Sequence, residues 1–206
     1  MNVFILLDRT GSMSNMWNEA VNSVNAYVEE LAKDKKGKHK VTLAVFDYSN
    51  GVQFDVLRDA QPIKEWKPFS VTEVTPRGMT PLLDCLARVV NLAEEANSKK
   101  TVIVVMTDGY ENCSREVTKE QAKAAVERCK NRNWQVVFLG ADFNAFGQAQ
   151  MVGVNLHQTM NFSLGKSEYV MRRTAVESLN YCNTGAAISY TDDVRSQAGE
   201  DTVSKR

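Results

Sequence analysis

The sequence lacks several features that mark common functional classes. Its 25 basic residues balance its 25 acidic residues, so the formal net charge is zero. A balanced charge gives no support for nucleic-acid binding, which needs a basic surface. No apolar run is long enough to span a bilayer, and the first apolar segment starts so close to Met1 that we expect no signal peptide. We therefore expect a cytoplasmic protein without nucleic-acid or membrane partners.

Cysteine and histidine are scarce. The four cysteines are widely separated, at Cys85, Cys113, Cys129 and Cys182. This spacing indicates neither a zinc knuckle nor a CxxC redox site. We expect reduced thiols, although the spacing alone leaves a disulfide between two of them open. The two histidines, His39 and His157, lie in a basic loop and a weak strand, and neither position is typical of a catalytic triad.

Apolar runs of strand length alternate with amphipathic helical patterns along the chain. The predicted strands are residues 3–7, 41–46, 52–56, 101–106, 134–139 and 156–162, and the predicted helices are 14–31, 80–96, 118–131, 143–150 and 167–181. Residues 52–56 alternate apolar with polar side chains, as in an antiparallel edge strand. The pattern predicts an α/β three-layer sandwich, with a mostly parallel central sheet, one antiparallel edge strand and helices on both faces.

The length of 206 residues and the apolar content of 43% fit a single domain with a substantial core. We expect this domain to span residues 1–182. Residues 183–206 are polar and poor in core-forming side chains, so we expect a C-terminal tail with a mobile end.

Several polar residues are predicted to cap helices. Thr80 stands before a helix, and Thr118 and Gln121 have the spacing of a capping box. Ser167 precedes the last predicted helix. Asp142 follows a strand and is expected to cap a short helix, although it is also a weaker metal-ligand candidate.

The first loop combines a carboxylate with two hydroxyls. Residues 3–7 are continuously apolar, as in a strand buried on both faces. Asp8 ends this strand, and Thr10 and Ser12 follow on either side of Gly11, which allows a tight turn. Carboxylate and hydroxyl oxygens are hard ligands that suit Mg²⁺, Mn²⁺ or Ca²⁺ rather than zinc. The plainer interpretation of this loop is a simple turn.

Two later segments are expected at the same edge of the sheet. Thr80 stands at a helix start, and Asp108 follows the strand 101–106 within Thr107-Asp108-Gly109. Ligands of open α/β sheets bind outside the carboxyl ends of the strands. A divalent cation there would offset the repulsion between Asp8 and Asp108. The plainer roles are a helix cap for Thr80, a turn contact for Ser12 and a glycine-turn contact for Asp108.

This pattern resembles the metal-ion-dependent adhesion site of von Willebrand factor A domains, which have a Rossmann-like fold. That family carries Asp-x-Ser-x-Ser after its first strand, a lone Thr before a middle helix, and an Asp that often lies in Thr-Asp-Gly. The matching residues here are Asp8, Thr10, Ser12, Thr80 and Asp108. The resemblance covers about residues 2–182. Thr10 replaces the commoner serine and keeps the hydroxyl.

The resemblance implies a protein-binding module rather than an enzyme. It makes Thr10, Ser12 and Thr80 direct hydroxyl ligands of Mg²⁺, with Mn²⁺ or Ca²⁺ as alternatives, and it makes Asp8 and Asp108 carboxylate ligands, directly or through water. An Asp or Glu of a partner protein would complete the metal's coordination. The flanking residues that could contact this partner are Arg9, Ser14, Met79 and Tyr110.

Two alternatives remain open. The first loop also resembles the Asp-Lys-Thr-Gly-Thr of the haloacid dehalogenase superfamily, in which Asp8 would be the nucleophile of a Mg²⁺-dependent phosphohydrolase. Against this, Thr10 stands where that family's general acid is expected, and Asn112 replaces a later Asp. The second alternative is a metal-free von Willebrand factor A scaffold that binds through another surface.

Overall fold

The computed structural model describes residues 1–203, which form a six-stranded sheet in the order β3-β2-β1-β4-β5-β6. The strands are β1 (Asn2–Asp8), β2 (Lys40–Tyr48), β3 (Val52–Pro62), β4 (Thr101–Thr107), β5 (Gln135–Ala141) and β6 (Thr159–Phe162). Strand β3 pairs antiparallel with β2 at one edge, and the other neighbouring pairs are parallel. The predicted sheet is therefore confirmed.

Helices cover both faces of the sheet. They are α1 (Trp17–Leu31), α2 (Leu82–Ala96), α3 (Lys119–Asn131), α4 (Phe146–Met151), α5 (Ser167–Thr184), α6 (Asp192–Gln197) and α7 (Glu200–Val203). Alternate residues of β1 enter opposite cores. Val3, Ile5 and Leu7 pack in the cluster that contains α1 and α5, whereas Phe4 and Leu6 pack with α2 and α3. This confirms the three-layer sandwich and explains why β1 is continuously apolar.

The strand order reverses between β1 and β4. The chain runs outward from β1 through β2 to β3, and then returns to the centre at β4 before running to β6. The loops that follow β1 and β4 therefore diverge from one point at the carboxyl edge of the sheet. Such a switch point is where open α/β sheets form a binding crevice.

Two helix starts differ from the sequence expectation because distant side chains supply the caps. Helix α2 begins at Leu82 without a side-chain cap from its own N-terminal residue. Instead, the backbone N–H of Leu83 donates to Glu111 Oε2 at 3.0 Å and to Ser114 Oγ at 3.1 Å. The predicted capping role of Thr80 is therefore wrong. At α5, the carboxylate of Glu19 accepts the N–H groups of Gly165 and Ser167, and the predicted Ser167 cap is absent.

The cap predicted at Asp142 is also wrong. Helix α4 begins only at Phe146, whose N–H donates to the side chain of Asn144 at 3.2 Å. Asp142 has φ of +55° and lies in the turn that leaves β5. The capping box formed by Thr118 and Gln121 at the start of α3 is confirmed.

The segment after residue 182 packs against the domain. Helices α6 and α7 lie in it, and four of its large apolar side chains are buried: Ile188, Tyr190, Val194 and Val203. The phenolic oxygen of Tyr190 lies 2.7 Å from Thr174 Oγ1 of α5. The described part of the expected polar tail is thus joined to the core. The tail end expected to be mobile, residues 204–206, lies outside the described residues.

Two further observations concern cysteine chemistry and membranes. All four cysteines are unpaired, and burial raises the pKa of the Cys113 thiol to about 11.

Within residues 1–203, no helix combines the length and the apolar character needed to cross a bilayer. The cytoplasmic location stays a prediction.

Candidate metal centre

Asp8 is the most deeply placed carboxylate of the predicted site. It ends β1 and is fully buried. Its Oδ1 accepts the backbone N–H of Thr10 at 2.7 Å, and its Oδ2 accepts the hydroxyl of Thr107 at 2.6 Å. Burial raises the pKa of Asp8 to about 7, although these hydrogen bonds act in the opposite direction. The carboxylate is therefore fixed in orientation and lacks the solvation that its charge requires.

The hydroxyls of the first loop face Asp108. A 3₁₀ turn, Gly11–Asn15, follows β1 and brings Thr10 Oγ1 within 3.2 Å of Ser12 Oγ. The Ser12 hydroxyl donates to Asp108 Oδ1 at 2.7 Å. Desolvation raises the pKa of Asp108, and the hydrogen bond from Ser12 acts against that rise. The first loop and the loop after β4 are thus joined by a hydrogen bond between side chains 96 residues apart.

Thr80 reaches the same place from the segment that precedes α2. A Cβ atom added to Gly109 would lie 3.6 Å from Thr80 Oγ1 and 3.8 Å from Ser12 Oγ, so all three loops meet beside this glycine. The N–H of Thr80 donates to Asn112 Oδ1 at 2.9 Å, and the N–H of Asn112 donates to Thr80 O at 3.2 Å. The structure therefore brings the five sequence-predicted residues together at one edge of the sheet.

An ion-pair network next to these loops is not indicated by the sequence patterns. Arg9 is buried and pairs with Asp47, which is fully buried, and with Asp55. The other oxygen of Asp47 lies 3.3 Å from Arg77 Nε, and the N–H of Arg77 donates to Arg9 O at 2.8 Å. Arg9 is one of the four flanking residues that could contact a partner, and in the structure its side chain points into this network. Asp47 follows the predicted strand 41–46 at the same edge, and that position was the available signal.

Gly78 allows the Thr80 segment to pack closely on β2. It has φ of +70°, and a Cβ atom there would lie 2.2 Å from Tyr48 O. Its carbonyl accepts the N–H of Gly11 at 3.2 Å. Met79 and Tyr48 exchange backbone hydrogen bonds of 2.9 and 3.2 Å. The first loop and the Thr80 segment are thus joined by backbone as well as by ion pairs.

The loop after β4 is held by a second buried carboxylate. Asp84 of α2 is fully buried and accepts the backbone N–H groups of Arg115, Glu116 and Val117 at 2.8 to 3.0 Å. Together with the cap that Glu111 provides for α2, these bonds fix the loop on the helix. The loop that carries Asp108 is thus joined to the start of α2, which Thr80 precedes.

The donor set suits a hard divalent cation. No group of three or more His, Cys, Asp or Glu side chains able to hold a metal occurs within residues 1–203. Zinc sites built from nitrogen and sulfur are therefore not indicated there. The two carboxylates and three hydroxyls are oxygen donors, which Mg²⁺ and Ca²⁺ prefer. Beside them is a cavity of about 180 Å³ lined by Ser12, Asp108, Asp142 and Leu164.

The chain matches the model of the von Willebrand factor type A domain over residues 2–180. It belongs to this family. No curated protein matches this von Willebrand factor A (vWA) chain. The match covers the whole sheet, α1 to α4 and most of α5.

Solved structures of low sequence identity share the fold. The vWF domain of the type V pili tip protein Mfa5 from Porphyromonas gingivalis is 12% identical, with a TM-score of 0.67 over 93% of this chain and 97% of that one. The pilus adhesin SpaC from Lactobacillus rhamnosus GG is 12% identical, with a TM-score of 0.68, and the match covers 87% of this chain but 30% of SpaC. BatB from Bacteroides thetaiotaomicron is 16% identical, with a TM-score of 0.53 over 87% of this chain and 99% of that one.

Proposed function

We propose that this vWA domain is a divalent-metal-dependent protein-binding module and not an enzyme. The observation that carries the proposal is the meeting of three loops, with hydroxyls from Thr10, Ser12 and Thr80 and carboxylates from Asp8 and Asp108. The hydroxyls would bind Mg²⁺ directly, and the carboxylates would bind it directly or through water. Mn²⁺ and Ca²⁺ are the alternative ions.

A bound cation would offer an electrophilic coordination position to an Asp or Glu side chain of a partner protein. The chain's own contribution is orientation and charge. Hydrogen bonds from Thr107 and Thr10 hold Asp8 in place, and neutral hydroxyls leave the cation's charge less compensated than carboxylates would. The pilus proteins among the similar structures support a role in binding partners.

The position of Thr80 favours this proposal over the phosphohydrolase alternative. Phosphoryl transfer to Asp8 gives Thr80 no role, whereas the binding site requires a hydroxyl beside Ser12 and Gly109. Asp8 is also fully buried with both oxygens accepting hydrogen bonds, which does not favour attack on a substrate. The metal-free scaffold differs in predicting that EDTA has no effect on partner capture.

The test is thermal unfolding with Mg²⁺ and with EDTA. At a Mg²⁺ concentration about a hundred times its dissociation constant, the wild type gains about 2.7 kcal/mol, which shifts Tm by about 5 to 10 °C. We expect this shift to disappear in Thr80→Ala. The matched control is Thr174→Ala, which removes a buried hydroxyl of α5 far from the site. It should lower Tm but keep the Mg²⁺ shift.

The alternatives give different results. A shift that survives in Thr80→Ala would contradict the three-loop site and favour the phosphohydrolase. If Mg²⁺ does not move Tm in the wild type, the metal-dependent proposal is wrong.

A further inference from the structure

Exposed apolar side chains are concentrated around the candidate metal centre. In the part of the chain that the structure describes, five large hydrophobic side chains are exposed: Val56, Met79, Tyr110, Leu156 and Leu164. Met79 directly precedes Thr80, Tyr110 follows Asp108-Gly109, and Leu164 follows β6. These three form what we call the apolar rim. Val56 lies along β3, and Leu156 lies at the opposite edge, before β6 begins.

Each residue of the apolar rim has a defined neighbour at or beside the site. Leu164 lines the same cavity as Ser12 and Asp108. The ring of Tyr110 packs edge to face on Phe143, with ring centroids 5.0 Å apart. The backbone of Met79 is held by Tyr48 through two hydrogen bonds. The three side chains are therefore exposed although each borders other residues of the folded domain.

Two exposed arginines lie on the Met79 side of the rim. The guanidinium of Arg115 lies 5.2 Å from the ring centroid of Tyr48, the residue that pairs with Met79. Arg77 lies two residues before Met79, and its side chain is 49% exposed. Positive charge beside an apolar surface favours a partner segment that carries negative charge.

We propose that the partner segment presents an acidic side chain flanked by large apolar residues, which pack on Met79, Tyr110 and Leu164. This inference rests on the proposed function, because the acidic side chain is the group that the metal would bind. It adds a requirement for apolar flanks, since exposed apolar side chains grouped at one place mark interaction surfaces. Aromatic side chains such as Tyr110 are common hot spots in such surfaces.

The test uses a library of short peptides with a fixed central Asp and random flanking residues. Peptides are selected on the wild-type chain in Mg²⁺ and eluted with EDTA, and their dissociation constants are measured by fluorescence anisotropy. We expect enrichment of apolar and aromatic residues beside the Asp. Tyr110→Ser and Leu164→Ser should each weaken binding of the selected peptides by about tenfold.

Val56→Ser and Leu156→Ser are the matched controls, since they remove apolar side chains of comparable exposure away from the site. They should leave peptide affinity unchanged. The Mg²⁺ shift in Tm of the rim variants should equal that of the wild type, which separates loss of packing from loss of metal.

The outcomes separate this inference from the proposed function. Peptides that bind in Mg²⁺ without apolar enrichment would overturn the apolar rim and leave metal-dependent binding intact. Equal loss of affinity in the rim variants and in the controls would overturn it as well. A library that yields no EDTA-eluted peptide would overturn both proposals.

Discussion

At the scale of single residues, Asp8 is a carboxyl group whose surroundings oppose its own charge. It has no solvent exposure, and burial raises its pKa to about 7. Hydrogen bonds from Thr10 and Thr107 offset only part of that cost. A cation bound nearby would reverse the balance, because opposite charge favours the ionised form.

We predict that Asp8→Asn stabilises the domain in EDTA at about pH 8 by about 2 to 4 kcal/mol, because it removes a buried charge. The folded pKa of Asp8, about 7, lies above its ordinary value of 3.8. The stability that the protonated carboxyl contributes is therefore present at low pH and lost as the pH rises through about 7. Urea unfolding should show the largest difference at about pH 8 and almost none at about pH 4.

In Mg²⁺ the wild type should be more stable than Asp8→Asn, since the wild type gains binding energy that the variant lacks. Asp59→Asn, which changes an exposed carboxylate of β3, is the control and should change neither measurement. If Asp8→Asn is less stable than the wild type in EDTA at about pH 8, its hydrogen bonds outweigh the cost of burial and the prediction is wrong.

At the scale of elements, the site depends on how the loop after β4 is attached to α2. Asp84 accepts three backbone N–H groups of this loop, and Glu111 and Ser114 of the same loop accept the N–H of Leu83 at the start of the helix. These contacts cross about 30 residues of sequence. They join the Asp108 loop to the helix start that follows Thr80.

We predict that Asp84→Ala lowers the free energy of unfolding by about 3 kcal/mol, because three backbone N–H groups lose their charged acceptor and a buried side chain is removed. It should also reduce the Mg²⁺ shift in Tm, since Asp108 and Thr80 lose their common support. Urea titration and thermal unfolding with Mg²⁺ measure the two effects. Glu95→Ala, an exposed change on the same helix, should alter neither. A destabilised Asp84→Ala that keeps the full Mg²⁺ shift would contradict the positioning role.

The sequence predicts elements where the deciding contacts are local. The apolar run of β1 and the capping box at Thr118 depend on neighbours within a few residues, and both are confirmed. The cap predicted at Thr80 is wrong because Glu111, a residue about thirty positions away, accepts the N–H group at the start of α2. The pairing of Arg9 with Asp47 likewise joins residues 38 apart, and no local pattern indicates it.

At the scale of the whole molecule, the position of the site follows from topology. Predicting parallel strands was enough to expect Asp8 and Asp108 at one edge, because the carboxyl ends of parallel strands meet there. The order β3-β2-β1-β4-β5-β6 then makes β1 and β4 neighbours at the switch point. The metal ligand roles stay a prediction, since they depend on an ion and not on the path of the chain.

The C-terminal segment shows what composition alone misses. Its buried apolar residues are isolated among polar ones, so no helical or strand period marks them. Each is nevertheless buried against the body of the domain. The N–H of Ile188 donates to Gln135 Oε1 at 2.9 Å, and Glu200 Oε2 accepts the N–H of Asn161 in β6 at 2.9 Å. The segment therefore covers β6 and α5.

We predict that a chain ending at residue 185 loses several kcal/mol of stability, because it exposes the apolar surface that Ile188, Tyr190 and Val194 cover. Urea unfolding of the full and shortened chains measures the loss. If the shortened chain does not fold, Ile188→Ala gives a graded version, with an expected cost of about 2 to 4 kcal/mol. Ile188 bonds to Gln135, the first residue of β5, at the edge of the sheet opposite the candidate metal centre, so the Mg²⁺ shift of Ile188→Ala should match that of the wild type. If shortening leaves the free energy of unfolding unchanged, the residues after 185 do not stabilise the core and the prediction is wrong.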